Sequence, residues 1–225
     1  MAEIFDTVVT QPELCPEWLI NGQTTLVSKK KPTNNPTNYR PITCLPVIYK
    51  ILSSVITSRL TSHIEVNNII PTEQKGNSNN TFGTIDQLMI NKMVMGSAKK
   101  KKRNISTAWI DYKKAYDSVP HDWIVESLTM HKFDPTITNF IKLTMKNWKT
   151  SLLLTHLNGQ ISTEEFSINT GIFQGDCTSG LLFILCLLPL SWLLKRSGLG
   201  YRINTNDLNV ISPAIHGRPK AICCK

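Results

Sequence analysis

The sequence lacks the cysteine patterns that mark a zinc site or a disulfide-stabilised fold. Its six cysteines are scattered, with no C-x-x-C pair and no histidine at zinc-ligand spacing. They are Cys15, Cys44, Cys177, Cys186, Cys223 and Cys224. We therefore expect reduced thiols without a disulfide partner, which is typical of an intracellular protein in the cytoplasm or the nucleus.

The sequence also lacks the features of a targeting or membrane segment. The first ten residues are acidic and contain neither a basic region nor an apolar core, so they do not resemble a signal peptide. The longest uncharged apolar run, residues 181–194, is shorter than the roughly 20 residues that a membrane-spanning helix needs, and it contains Pro189. This run predicts a buried core helix, and no membrane partner is expected.

Acidic residues are comparatively few, which leaves the chain basic. There are 25 lysines and arginines against 16 aspartates and glutamates, for a net charge of +9. Basic side chains that displace counterions from phosphates bind nucleic acid without reading its sequence, so this balance favours a polyanionic partner. The charge alone does not separate such a protein from a basic protein that binds nothing specific.

Hydrophobic periodicity predicts helices mixed with short strands. Helices are expected at 47–64, 85–95, 123–131, 136–148 and 181–194, strands at 25–28 and 105–110, and a β-hairpin from 152–156 and 165–169 around Asn158-Gly159. In the first helix an apolar stripe is expected to face the core, made by Ile48, Ile51, Leu52, Val55, Ile56 and Leu60. Strict βαβ alternation is missing, which indicates an α+β fold.

Two polar features are candidates for function. Asp111 directly follows the predicted strand 105–110, and a carboxylate at a strand end can hold a divalent cation in the cleft beside a sheet. The same pattern also fits an aspartate that caps a turn. The basic run consists of Lys99, Lys100, Lys101, Lys102 and Arg103, and it fits either a solvated loop or a nucleic-acid contact.

Five short motifs follow one another in a characteristic order and spacing. They are Lys29-Lys30, residues 38–43 (NYRPIT), residues 73–76 (EQKG), residues 109–121 (WIDYKKAYDSVPH), and residues 171–176 (GIFQGD) with Leu181-Leu182-Phe183 after them. Together they resemble the reverse transcriptases of non-LTR (LINE-type) retrotransposons. The likeness covers nearly all of the chain from Trp18 to Ile203.

The resemblance implies an α+β, right-hand polymerase fold with fingers and an incomplete palm. We expect a fingers-like region at 1–104, a partial palm at 105–203 and a divergent tail at 204–225. The implied function is that of an RNA-directed DNA polymerase domain of a LINE-like retroelement. The partners implied for the intact family are an RNA template, a DNA primer and a deoxynucleotide triphosphate.

The resemblance also implies roles for single residues near the reaction. Asp111 corresponds to a catalytic carboxylate that binds Mg2+, and Tyr112 contributes a metal-facing backbone carbonyl. Tyr116 resembles the aromatic residue that packs under the sugar and excludes a 2′-hydroxyl, although a core tyrosine fits the same position. Asp117 is expected to be a structural cap and His121 a surface histidine.

Four further residues are implied in nucleotide binding. Arg40 and Lys29 resemble the fingers residues that grip the incoming triphosphate, Arg40 through a planar fork and Lys29 as a point charge. Gln174 and Gly175 resemble the loop beside the nucleotide and the template, where glycine permits close backbone approach.

Two departures from the family pattern bear on activity. Ser179-Gly180 stands where the family commonly has Ser-Pro, and after Ile203 the resemblance fades. We therefore expect a chain truncated before the family's Tyr-Met-Asp-Asp motif and inactive as translated; the alternative is a non-catalytic nucleic-acid-binding remnant. Residues 213–225 admit synonymous codons that spell Tyr-Met-Asp-Asp in a shifted frame, which suggests a frame-shifted tail.

Overall fold

The computed structural model describes residues 2–29, 35–77, 81–156 and 159–201. In chain order the helices are α1 (Ala2–Thr10), α2 (Glu17–Ile20), α3 (Val47–Val66), α4 (Thr84–Lys100), α5 (His121–Met130), α6 (Pro135–Lys146) and α7 (Ser179–Arg196). The strands are β1 (Gly22–Ser28), β2 (Tyr39–Cys44), β3 (Lys149–His156), β4 (Gly159–Ser162) and β5 (Phe166–Ser167). Short 3-10 helices lie at Pro12–Leu14, Pro36–Asn38 and Tyr116–Ser118.

The chain divides into two compact units. The first unit consists of residues 1–69 and 113–186, and the second of residues 70–112 and 187–225. The expected tail at 204–225 lies outside the described residues. The fingers-like and palm boundaries at 104 and 203 stay predictions.

The sheet of the first unit has the strand order β2-β1-β3-β4, and β5 also pairs with β3. β1 runs antiparallel to β2, from Gln23 opposite Cys44 to Ser28 opposite Tyr39. β1 and β3 run parallel, as strands joined by a long crossover connection do. The sheet therefore brings β1, early in the chain, next to β3, which begins at Lys149.

Three buried threonine hydroxyls cross this sheet from strand to strand. The hydroxyl of Thr24 on β1 lies 2.8 Å from that of Thr43 on β2 and 2.7 Å from that of Thr150 on β3. Thr150 also donates to the carbonyl of Gly22 at 2.9 Å. Buried hydroxyls are costly unless they are hydrogen-bonded, so this row holds the three strands in one register.

Helices α3, α5 and α6 and the N-terminal half of α7 supply most of the core of the first unit. Fully buried side chains include Leu52, Leu60, Ile124, Leu128, Phe140, Met145, Leu182 and Leu185. The four long helices predicted at 47–64, 85–95, 123–131 and 136–148 are confirmed as α3 to α6, with ends shifted by a few residues. The expected strand at 25–28 is also confirmed, although β1 begins earlier, at Gly22.

The predicted core stripe of α3 is only half right. Leu52, Ile56 and Leu60 are buried, but Ile48, Ile51 and Val55 remain 41%, 45% and 44% exposed. The inward line continues through Tyr49, Ser53 and Ile64 instead. Residues three and four positions apart share one face of a helix, and only that face packs against the core. One edge of a broad apolar stripe therefore stays exposed.

Helix α7 contains Pro189 within its helical span and extends the predicted run at both ends. Within the described chain it alone is long and apolar enough to cross a membrane by length and composition, and 39% of that window is buried inside the protein. A core helix passes the same test. The burial of Leu181, Leu182 and Leu185 agrees with the predicted core helix in its N-terminal half.

One strand prediction is wrong, and the hairpin prediction is right only in part. Residues 103–112 have no regular secondary structure, and Trp109 and Ile110 are 76% and 68% exposed. A strand needs a neighbour for its backbone N–H and C=O groups, and no described strand pairs with this segment. In the hairpin, the predicted strand 152–156 is confirmed as part of β3, and β4 pairs with it from Gly159. Of the predicted segment 165–169, only Phe166–Ser167 forms a strand, which pairs with β3 as expected.

The second unit is built on α4. Glu73 accepts a hydrogen bond from the Gln87 side chain through its backbone carbonyl and lies 3.7 Å from the Lys195 ammonium through its carboxylate. Ser97 lies 2.9 Å from the hydroxyl of Tyr201. These contacts tie the loop before α4 and the residues after 187 to that helix.

Candidate functional site

The loop 171–176 connects the sheet to α7, and three backbone hydrogen bonds hold it in the first unit. The N–H of Gly171 donates to Val119 at 2.8 Å, and the N–H of Ile172 donates to Tyr116 at 3.0 Å. The carbonyl of Gln174 accepts from the N–H of Thr43 on β2 at 2.8 Å. The loop is therefore fixed at one end to the Tyr116–Ser118 turn and at the other end to β2.

Two glycines make this attachment possible. Gly171 has φ +90°, and a Cβ there would lie 2.8 Å from the Cα of Asp117. Gly175 has φ +132°, and a Cβ there would collide with the carbonyl oxygen of Thr43. Both conformations favour glycine, and both contacts leave no room for a side chain. The glycine at 175 thus allows a close approach to β2, whereas the expected approach to a nucleotide and template stays a prediction.

His121 and two aromatic residues support the first half of the loop. The His121 Nε2 atom lies 2.8 Å from the carbonyl oxygen of Gly171, so this nitrogen carries the proton and donates. The His121 ring meets Trp148 edge-on at 5.7 Å, and Trp148 stacks against Phe173 at 4.6 Å. His121 is half-buried, so the expected surface histidine is only partly exposed.

The structure brings Tyr116, Gln174 and Gly175 together around this loop. The Tyr116 ring lies 5.2 Å from Phe183 of α7, and partial burial raises the pKa of its phenol. The Gln174 amide Nε2 lies 3.4 Å from the Asp117 Oδ1 atom. No side chain caps the 3-10 helix Tyr116–Ser118, so Asp117 is not the structural cap that the sequence suggested.

Lys29 and Arg40 lie at the β1–β2 hairpin, and among the described residues their hydrogen bonds and strand pairing are made within this hairpin. Arg40 is paired with Val27 and is exposed. The Lys29 ammonium donates to the carbonyl of Thr37 at 3.2 Å. Arg40 precedes Thr43 by three residues on β2, which corresponds to about 10 Å at 3.3 Å per residue. Their expected contact with a triphosphate stays a prediction.

Asp176 is a buried carboxylate that sequence reasoning missed. It is 9% exposed, and its Oδ2 atom accepts a hydrogen bond from the Thr178 hydroxyl. Burial raises the pKa of this carboxyl. Hydrogen bonds from Thr178, Ser53 and the N–H of Cys177 lower the pKa, but by less than burial raises it. The sequence did contain a signal for Asp176. An acidic residue followed by Thr178 and Ser179, just before an apolar run, is typical of a helix start.

Asp111 and Tyr112 belong to the second unit and are both exposed. Asp111 does not end a strand, because the strand predicted before it is not formed. In the parts of the chain that the structure describes, no group of three or more His, Cys, Asp and Glu side chains is placed to hold a metal ion. Asp111 and Tyr112 alone therefore do not make a complete ligand set for the implied Mg2+. Their roles as metal ligands stay predictions.

The basic run lies at the end of α4. Lys99 and Lys100 form its last turn, and Lys102 adopts a left-handed conformation with φ +50°. The N–H of Lys102 donates to Lys99 and that of Arg103 to Ala98, which is a Schellman ending. Cations also suit the negative end of a helix dipole, so a structural role and a nucleic-acid role are both compatible with this placement.

Comparison with known proteins identifies the family. The model of the reverse transcriptase (RNA-dependent DNA polymerase) family matches residues 27–209. The chain is 26% identical over 195 residues to the retrovirus-related Pol polyprotein from the type-1 retrotransposable element R2 of Popillia japonica, covering 84% of this chain and 26% of that protein. It is 28% identical over 171 residues to the Pol polyprotein from the type-2 element R2DM of Drosophila melanogaster, covering 74% and 15%.

Among solved structures, an apo telomerase from Candida tropicalis truncated from its C-terminal domain matches with a TM-score of 0.46 and 16% identity, over 79% of this chain and 40% of that chain. The chain spans about a quarter or less of the two R2 proteins. The family match covers most of the sequence, and the mixed helices and sheet confirm the expected α+β fold. The chain therefore belongs to the reverse transcriptase (RNA-dependent DNA polymerase) family, as a domain of the non-LTR retrotransposon type.

Proposed function

We propose that this chain forms the nucleotide-binding part of an RNA-directed DNA polymerase and recognises a deoxynucleotide triphosphate paired with an RNA template at a DNA primer end. One observation carries the proposal: the loop 171–176 fixes Gln174 and Gly175 between β2 and the turn that bears Tyr116. A polymerase needs such a rigid loop, because discrimination between nucleotides depends on groups that stay in place.

Each neighbouring side chain has a role that suits its chemistry. The half-buried Tyr116 ring offers a flat apolar surface for a sugar, and its raised pKa keeps the phenol uncharged. Gln174 supplies a polar amide beside it. Arg40 and Lys29, both exposed, supply positive charge for the triphosphate, with Arg40 able to form two parallel hydrogen bonds.

We infer that these 225 residues bind their substrates without joining nucleotides. Nucleotidyl transfer depends on charge neutralisation by two metal ions held between carboxylates. The sequence contains no Asp-Asp pair, and the described residues hold no group of carboxylates around Asp111. We therefore expect activity to require carboxylates that this sequence does not contain.

A primer-extension assay tests this expectation. The chain is incubated with a primer annealed to RNA, all four deoxynucleotides and Mg2+, while fluorescence anisotropy measures binding of the same primer–template. We expect binding without detectable extension. Robust extension by the wild-type protein that is lost in Asp111→Asn but kept in Asp122→Asn, an exposed carboxylate on α5, would contradict the inference.

The second candidate is a nucleic-acid-binding remnant without a working nucleotide site, favoured by the net charge of +9 and the exposed basic run. The two functions differ in their response to nucleotide. A complementary deoxynucleotide should tighten primer–template binding if the loop is a nucleotide site, whereas a remnant should bind equally well with and without it.

A further inference from the structure

We propose that Asp117 is a positioning residue that fixes the side-chain amide of Gln174, so that Gln174 presents its oxygen, and not its NH2 group, to the bound nucleotide. The inference rests on the proposed nucleotide-binding role of Gln174. It assigns to Asp117 a role other than the cap that the sequence suggested.

The contact itself determines which way the amide points. The Gln174 Nε2 and Asp117 Oδ1 atoms lie 3.4 Å apart, and both side chains are half-buried. An ionised carboxylate accepts hydrogen bonds and donates none. The amide oxygen facing it would be repelled, so the NH2 group must face Asp117.

The backbone around the two residues keeps them in reach of each other. The main chain of Asp117 packs so closely on Gly171 that a Cβ there would lie 2.9 Å from the Asp117 carbonyl oxygen. The adjacent Tyr116 carbonyl accepts from the N–H of Ile172 at 3.0 Å. At the other end, Thr43 holds the carbonyl of Gln174 at 2.8 Å. The loop therefore cannot move away from Asp117 without breaking bonds at both ends.

This arrangement gives Gln174 a defined polarity. With one N–H of the NH2 group bonded to Asp117, the Oε1 atom points away from the carboxylate and only accepts hydrogen bonds, while the second N–H stays able to donate. On the side turned away from Asp117, the site then favours a nucleotide group that donates, such as a hydroxyl or an amino group. Without Asp117 the amide is free to rotate, and it can meet the nucleotide with either atom. A lost orientation weakens binding because the productive amide rotamer is then populated only part of the time.

The first test is a double-mutant cycle on nucleotide affinity. Binding of a complementary deoxynucleotide to the chain with primer–template is measured for wild type, Asp117→Ala, Gln174→Ala and the double variant. We expect Asp117→Ala to weaken nucleotide binding roughly threefold to tenfold and to have no further effect when Gln174 is already alanine. The matched control is Asp122→Ala, at an exposed carboxylate five residues away, which should leave the affinity unchanged.

Additive effects of the two variants would overturn the proposal, because Asp117 would then act without Gln174. If Gln174→Ala itself leaves nucleotide binding unchanged, the proposed function of the loop fails, and a second readout still tests the contact. The Gln174 side-chain NH2 resonance, assigned by its loss in Gln174→Ala, should shift in Asp117→Asn and not in Asp122→Asn. An NH2 resonance unmoved by Asp117→Asn would overturn the positioning role.

Discussion

The backbone N–H of Thr43 donates to the carbonyl of Gln174 across 131 positions of the chain, at a distance of 2.8 Å. This bond joins β2, which also carries Arg40, to the loop 171–176 that precedes α7. The side chain of Thr43 is buried and bonded to Thr24 on β1. The loop is therefore attached to the sheet through the same residue that belongs to the hydroxyl row across three strands.

Gly175→Ala should destabilise the first unit and weaken nucleotide binding. The methyl group would collide with the Thr43 carbonyl oxygen, and φ +132° is unfavourable for any residue with a side chain. A left-handed backbone alone costs a non-glycine residue about 1–2 kcal/mol, and the collision adds to this. Urea unfolding followed by tryptophan fluorescence measures the loss.

The matched control is Gly96→Ala in α4. A Cβ at Gly96 meets nothing within 4 Å, and the residue is helical and exposed. Alanine should stabilise this helix by about 0.5–1 kcal/mol. Equal effects of the two substitutions would show that the contact between Gly175 and Thr43 does not constrain the loop.

Asp176 should make the first unit less stable as the pH rises. Burial raises its pKa in the folded chain above the ordinary value of 3.8, so the folded state holds this proton more tightly than the unfolded state. The stability that this bound proton contributes is fully present below the pKa of Asp176 in the unfolded chain. It is lost as the pH rises through the pKa of Asp176 in the folded chain. Asp176→Asn keeps the shape and removes the titration.

Urea unfolding of wild type and Asp176→Asn across pH 4 to 8 measures this effect. We expect the stability difference between the two proteins to grow in favour of the asparagine variant as the pH increases. The exposed carboxylate Asp122 provides the control, since Asp122→Asn should track wild type. A difference that does not change with pH would contradict the raised pKa.

Lys132→Gly should stabilise the protein. Lys132 follows α5 with φ +56°, and its N–H donates to Thr129 while that of Phe133 donates to Leu128, which is again a Schellman ending. Glycine adopts this left-handed conformation without the strain that lysine carries, so we expect a gain of about 1 kcal/mol. Lys142→Gly, within α6, should instead lose about 1 kcal/mol. Thermal unfolding compares the two variants, and a loss in both would contradict the strain argument.

Replacing Lys99, Lys100 and Arg103 by glutamine should weaken primer–template binding and reduce its salt dependence. Each lost phosphate contact lowers the slope of log affinity against log salt by roughly 0.7–0.9. The same change at Lys132, Lys142 and Lys146, all exposed, removes equal charge from the first unit. Anisotropy titrations from low to physiological salt compare the triple variants. Equal slopes for both would show that only the net charge matters and that the basic run is a solvated helix end.

Much of this protein was predictable from short-range patterns. The apolar spacing at 47–64 and 136–148 predicts α3 and α6 because helical periodicity is a property of neighbouring residues. The motif order predicts the reverse transcriptase family, which the family match confirms. The close approach of Gly175 to Thr43 was not among these predictions, because the expected neighbour of that glycine was the nucleotide and template.

Predictions from local sequence patterns were wrong or missing where the structure depends on residues far apart in the chain. Residues 105–110 have the composition of a strand, yet a strand forms only beside another that completes its hydrogen bonds, and no described strand does so. The sequence around His121 does not predict its hydrogen bond to the carbonyl of Gly171, which lies 50 residues further along the chain. The exposed edge of the α3 stripe likewise reflects what packs against that helix and not its own periodicity.

The long helices, the family and the residue types available for nucleotide binding follow from composition and from the order of neighbouring residues. The strand order β2-β1-β3-β4, the burial of Asp176 and the contact of Asp117 with Gln174 depend instead on residues far apart in the chain. The last pair is 57 residues apart in the chain. Their contact exists because backbone hydrogen bonds hold the loop to the Tyr116 carbonyl at one end and to the Thr43 N–H at the other. Such long-range pairing leaves no periodic pattern in a sequence.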